Sequence, residues 1–199
     1  MTFRSPIFEL ADQHVEAQAL LSPITCTYLG NGVDQDKWDD LSLAGAEKGA
    51  ALYRKSLDAL KALTPIDDID RIAKKVMEER LESGLLLHDT EEEHLIWSVL
   101  SSPPTNMRGV FELMPHSTEQ DFANITARLA GLGAAFDSWV GTISTLAAKG
   151  KVTARRQVAG VVDSLRGHAN GGYSSMTKRF DPEGKYPELH AQALVAEAA

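Results

Sequence analysis

The chain has 199 residues, 43% hydrophobic and 24% charged, with 20 Lys and Arg against 28 Asp and Glu for a formal net charge of -8. That length allows a sizeable core, and the composition excludes a disordered chain. The acidic balance excludes a nucleic-acid partner, because Arg155-Arg156 with Arg166 is too little basic surface to follow a phosphate backbone.

The single cysteine, Cys26, permits no internal disulfide. The amino terminus lacks the apolar run of a signal peptide, and no stretch nears the roughly 20 apolar residues of a membrane helix. A soluble cytoplasmic protein with no membrane partner is expected.

Helix signals then repeat along the chain. Ser5-Pro6 reads as an N-cap with proline in the first turn, and Ile7, Leu10, Ala11, Val15 and Leu21 trace one face until Ser22-Pro23 stops it. Residues 23–41 read as irregular, with a β-type run at Thr25 to Tyr28 that would make at most an isolated short pairing. Ser42 caps a helix whose Leu43, Ala46, Ala50, Tyr53, Leu57 and Leu60 recur at steps of three and four, ending at Thr64-Pro65. A charged helix from about Asp67 should turn Ile69, Ile72, Val76 and Leu81 inward, with Gly84 and Asp89-Thr90 weakening its later part.

Ser102-Pro103-Pro104 reads as a break before a short helix, Asn106 to Met114, closed by Pro115. Ser117 with Gln120 gives a capping-box pattern, and Phe122, Ile125, Leu129 and Leu132 line the helix that follows. Gly131 and Gly133 are expected to kink or interrupt it before Phe136, Val140, Ile143 and Leu146 resume the period, with Gly150 as the stop. Thr153 should cap a further helix bearing Val158, Val161, Val162 and Leu165. Residues 167–187 read as a long loop, and Glu188 to Ala199 as a terminal helix without a stop signal, offering Leu189, Ala193, Leu194 and Ala196 as apolar surface. The expectation is an all-α, multi-helix array forming a single helical domain over residues 1–199, incomplete at its uncapped end.

The common catalytic templates are absent. None of the six histidines is followed by Glu, so the His-Glu start of a zinc-peptidase helix is missing. Gly172-Tyr173-Ser174-Ser175-Met176 lacks the last glycine of a nucleophile elbow, and Gly150-Lys151 and Gly184-Lys185 lack the Ser or Thr of a phosphate loop. His88 to His94 is the richest cluster of potential ligands, with His88 and Glu92 on one helix face, against the alternative of a solvated acidic face. Two polar features stand out as cleft or partner contacts. Asn106 and Arg108 sit beside a proline break, and Arg155 and Arg156 open a helix; the alternatives are a capped helix with Arg108 paired to a carboxylate, and two solvated arginines.

Several of these segments, in order, form a pattern. Pro23-Ile24-Thr25-Cys26-Thr27-Tyr28-Leu29-Gly30, then Asp40-Leu41-Ser42, then Phe111-Glu112-Leu113-Met114-Pro115 with Thr118, Asp121-Phe122, Ile125 and Arg128-Leu129, resemble the bacterial family called domain of unknown function 885. Arg155-Arg156-Gln157-Val158 is similar to its actinobacterial branch. The resemblance implies an almost wholly helical fold related to thermolysin-like zinc peptidases, whose His-Glu-x-x-Pro-Gly-His segment matches nothing in this sequence.

No catalytic, cofactor-binding or metal-ligating residue therefore carries over, and zinc is implied only for a missing portion. What the resemblance implies for this chain is the helical front of a metallopeptidase-like fold, a wall or lid of the substrate cleft. Its expected partners are the missing catalytic portion or a second copy, with peptide as substrate. The alternative from a different class is a stand-alone helical interaction module.

Overall fold

The computed structural model describes residues 5–98, 100–173, 177, 181 and 183–198. Among these residues there are eight α-helices and no strand: α1 Pro6–Leu21, α2 Pro23–Tyr28, α3 Leu43–Ala62, α4 Asp68–Asp89, α5 Pro103–Gly109, α6 Glu119–Ala148, α7 Arg155–Gly167 and α8 Pro187–Ala198. The all-α expectation holds. The chain forms two compact units, residues 1–21 with 43–93, and residues 22–42 with 94–199.

In the first unit α3 and α4 pair as a hairpin, and α1 packs on both. Ser5 caps α1 as expected, its hydroxyl accepting the Phe8 N–H at 3.3 Å while donating to the buried carboxylate of Asp70. The core is Ile7, Leu57, Leu60 and Leu81, with Leu10, Tyr53, Ala73, Met77 and Leu85 packed against it.

Of the row read from the sequence only Leu81 lies on the inward face of α4. Ile69, Ile72 and Val76 are 67%, 57% and 55% exposed, and the buried row is Asp70, Ala73, Met77 and Leu81, one position round the helix. Two apolar rows lie side by side on this helix, and only the tertiary contact chooses between them. On α1 the same ambiguity leaves Val15 and Leu21 exposed and Ala19 buried. Gly84 does not interrupt α4. The Tyr53 ring occupies the space its side chain would need, so the glycine is a packing notch in a continuous helix.

In the second unit the run expected as β-type is helix α2. Ser22 is its N-cap, accepting the Thr25 N–H at 3.1 Å, and Pro23 fills the first turn, so the residues that stop α1 also start α2. Ser102 likewise caps α5, with Pro103 and Pro104 in its first turn. The expected break is a helix start.

The cap of α6 is Thr118 in a reciprocal capping box with Asp121, not the Ser117–Gln120 pair. Gly131 and Gly133 leave α6 unbroken over 30 residues, about 45 Å, because its inner face is packed on both sides of them. It stops at Gly150 (φ 78°): the Gly150 N–H reaches Ala147 O at 2.9 Å and the Lys151 N–H reaches Leu146 O at 3.0 Å, a Schellman motif. The cap position of α7 is Ala154, not Thr153, whose hydroxyl is donated instead to Leu95 O at 3.0 Å.

The core of this unit gathers Ile24, Met107, Val110, Phe111, Met114, Phe122, Ile125, Leu129, Ala135 and Ala193. At its edge Arg128 is fully buried. Its guanidinium donates to Lys37 O at 3.0 Å, Thr27 Oγ1 at 2.9 Å and Pro23 O at 3.1 Å, and lies 5.7 Å from the Trp38 ring. Trp38 returns the contact, its indole N–H reaching Arg128 O at 2.8 Å. One buried cation thus ties the whole irregular stretch after α2 to α6. Arginine suits the task because it remains charged when buried and offers five donors in a fixed fork.

The terminal helix is packed rather than open. Ala193 is fully buried and Leu189 and Ala196 join the core, while Leu194 is 49% exposed.

Candidate functional site

Within the second unit a cavity of about 500 Å³ lies between the middle of α6, the turn after α7, and the end of α8. Leu129, Leu132 and Phe136 supply apolar wall; His168, Tyr173 and Glu197 supply the polar groups. The turn is a π-helical segment, His168–Gly172, with non-helical backbone at Asn170 and Gly171. Gly171 has φ 94°, where only glycine sits without strain. A side chain on Gly172 would press on Gly167 O and on His168, both at 3.3 Å. These two glycines let the chain turn sharply enough to bring His168 and Tyr173 to one cavity.

Arg108 on α5 holds this turn. Its Nε donates to Gly172 O at 3.0 Å, its Nη1 meets Glu112 Oε1 at 2.9 Å, and its guanidinium lies 5.7 Å from the Tyr173 ring centre. Tyr173 is further fixed by edge-on contacts with Phe111 and His168, at 6.0 and 6.1 Å between ring centres.

Two buried atoms, His168 Nδ1 and Tyr173 Oη, make no hydrogen bond with a described residue. Such atoms are rare in folded proteins, since each forfeits the bonds it had with water. Burial pushes the His168 pKa down, and the positive charge of Arg108 pushes the same way. Burial pushes the Tyr173 phenol up, with Arg108 opposing. Near neutral pH both groups are therefore uncharged, and between them they offer a donor and a second polar atom inside an apolar wall.

Of the four residues singled out from the sequence, the structure brings only Arg108 to this site. Asn106 is exposed on α5. Arg155 and Arg156 are exposed at the start of α7 and make no hydrogen bond or ion pair with a described residue. Sequence reasoning missed His168 and Tyr173. Its signal was the Gly171-Gly172 pair in the stretch read as a loop, residues 167–187; the elbow-like Ser174 to Met176 lies outside the described residues.

The histidine cluster of the first unit is an ion-pair network. His88 Nε2 meets Glu47 Oε2 at 2.9 Å and Nδ1 meets Glu93 Oε1 at 2.8 Å, so Glu93 and Glu47, not Glu92, are its partners. Arg54 joins Glu47 at 2.7 Å. Carboxylates only accept, so both ring nitrogens must carry protons. Desolvation lowers the His88 pKa, but the two glutamates outweigh it and the net shift is upward. A doubly protonated imidazole has no lone pair for a metal. Among the described residues no three His, Cys, Asp or Glu side chains are placed together to hold a metal ion.

No helix of the described residues is long and apolar enough to cross a membrane. No curated protein matches the chain. The model of one family matches residues 23–199, a span that takes in Arg128 with the segment it ties down, Arg108, and the cavity of His168 and Tyr173. The chain belongs to the family described as "Bacterial protein of unknown function (DUF885)".

Proposed function

We propose that this chain is a helical wall or lid of the substrate cleft in a zinc-peptidase-like bacterial protein of the cytoplasm. It is inactive alone, and the metal with its ligands comes from another portion. Peptide is the proposed substrate class. The observation that carries the reading is the cavity of about 500 Å³ with unpartnered polar atoms on His168 and Tyr173. An apolar peptide side chain would fill such a space while its backbone amide meets the two uncharged groups.

The test is binding of the full chain to a panel of short fluorescent peptides, followed by polarisation. Gly133 lines the cavity and an added Cβ there meets nothing within 4 Å, so Gly133→Trp fills the space from α6 while Gly133→Ala is its control. Binding of apolar peptides that Gly133→Trp abolishes and Gly133→Ala keeps supports the reading. Equal binding by both variants, or none by the parent chain, sinks it.

A second reading, a stand-alone interaction module, is favoured by the exposed row Ile69, Ile72 and Val76 on α4 in the first unit. Rows of this kind on a helix are where a partner helix docks. Reading the coding frame past Ala199 separates the two. An open frame carrying a His-Glu segment supports the cleft wall, and a stop codon supports the module.

A further inference from the structure

The cavity between α6, the turn after α7 and the end of α8 has three polar side chains in its lining, and they differ in what they have left to offer. Glu197 is already engaged by the Thr177 hydroxyl. His168 and Tyr173 each hold a buried atom, Nδ1 and Oη, with no partner among the described residues. Their rings meet edge-on at 6.1 Å between centres, so the two side chains form one polar patch on an otherwise apolar wall.

The imidazole decides which atom gives a proton and which takes one. A neutral imidazole carries a proton on one nitrogen and a lone pair on the other. Nε2 of His168 is not among the buried unpartnered atoms, so water can serve a proton there. A proton on Nδ1 would instead be a buried donor without an acceptor, and orphaned donors are rarer in folded chains than under-used acceptors. Nδ1 therefore carries the lone pair. The Tyr173 hydroxyl, kept neutral by burial, has a proton to give.

A ligand that satisfies both must bring a donor to His168 and an acceptor to Tyr173. Within the peptide class proposed for this cavity, on which this inference rests, an internal residue brings both, its own N–H and C=O. Proline brings only the C=O, and an ester turns an oxygen lone pair toward that of Nδ1. A buried acceptor left unpaired lets a polar site reject an analogue lacking one donor more sharply than an apolar wall rejects a missing methylene. We propose that His168 is the specificity-determining residue of this cavity: its Nδ1 accepts the backbone N–H of the seated residue, so the site takes an internal peptide unit with an apolar side chain and rejects proline and N-alkylated residues at that position.

The experiment follows, by polarisation, binding of the full chain to a fluorescent Ala-Leu-Ala peptide and to its twin in which an ester oxygen replaces the leucine N–H. That change removes the donor and adds no bulk. The ester should bind the parent chain about tenfold more weakly, the loss of one hydrogen bond with its acceptor left buried and unpaired. On His168→Phe the two should bind alike, whereas Tyr173→Phe should weaken both and keep their ratio. Equal binding of amide and ester to the parent chain overturns this inference, and the cavity reading still stands if Gly133→Trp removes both. Binding of neither peptide overturns the two together. A tenfold ratio that persists in His168→Phe shows another group reading the N–H and overturns the assignment. Should His168→Phe fail to fold, the imidazole nitrogen NMR shifts of the parent chain decide. Nδ1 should be the unprotonated nitrogen and should move with the amide and not with the ester; a protonated Nδ1 overturns the proposal.

Discussion

The two units solve the same problem with different chemistry. The first closes an aliphatic core of four buried side chains, and its ion pairs lie toward water, among them Arg54 with Glu47 and Lys61 with Glu82. The second takes a cation into its interior, surrounds it with backbone carbonyls, and carries aromatic pairs and two unpartnered polar atoms. Exposed ion pairs contribute little, whereas a buried guanidinium is costly to leave without partners. The segments whose residues resemble the family, Pro23 to Gly30, Phe111 to Pro115 and Ile125 to Leu129, all fall in the second unit. They meet there around Arg128 and Phe111. What they encode is a core, and the polar cavity is built on top of it.

The largest expected effect breaks that core. Arg128→Met removes the donor to Thr27 Oγ1 and to the carbonyls of Asp34 and Lys37, and one of the donors to Pro23 O. It should cost about 3–5 kcal/mol, the range for breaking a buried charged network. All three tryptophans belong to the second unit, so intrinsic fluorescence in urea reads this unit, and its midpoint should fall sharply. An unchanged midpoint would show that the cation is not what holds residues 23–39 to α6.

In the first unit Leu60→Ala should cost about 2–4 kcal/mol, because Leu60 is fully buried among aliphatic neighbours. The unit lacks tryptophan, so the readout is faster amide hydrogen exchange in α1, α3 and α4. Protection that survives the substitution would mean the hairpin is held elsewhere.

A smaller effect sharpens the contrast between local and distant support. Thr118→Ala removes the capping box of α6 and should cost about 1 kcal/mol, with Thr118→Ser restoring most of it. A loss as large as that of Arg128→Met would show that α6 depends on its start more than on its packing.

The smallest effect is on pH dependence, where His88 of the first unit and His168 of the second differ in sign. His88 has its pKa raised in the folded chain, so its contribution is complete below the unfolded value of about 6.5 and fades as pH rises through the folded one. His168 has its pKa lowered, so its contribution is present above about 6.5 and is lost as pH falls toward the folded value. His14 in the first unit is also lowered by burial, so single variants are required. His88→Gln should flatten the alkaline side of the stability profile, and His168→Gln the acid side. The same side flattened by both would refute the assignment.

The long helices were legible in the sequence, because the spacing of apolar residues and the Ser, Thr, Pro and Gly punctuation are local. Ser5, Gly150 and the row Ala50, Tyr53, Leu57, Leu60 follow directly from them. Punctuation has two readings, however. Ser22-Pro23 and Ser102-Pro103-Pro104 read as stops and are also starts, since proline is as suited to a first helical turn as it is hostile to a later one.

The face of a helix with two apolar rows was decided only by the fold, as Ile69, Ile72 and Val76 on α4 show. Burial depends on which neighbour arrives, and a row of isoleucines does not specify one. The candidate site was hidden for the same reason. Arg108 precedes α6 while His168 and Tyr173 follow it by a further helix, and nothing in local spacing joins them. Sequence determined the long helices, the caps at Ser5 and Gly150 and the net charge, all of which depend on composition or on residues within a few positions of one another. Tertiary structure decided the buried Arg128, the unpartnered atoms and the cavity, because desolvation and cavity shape belong to whatever residues the fold brings together.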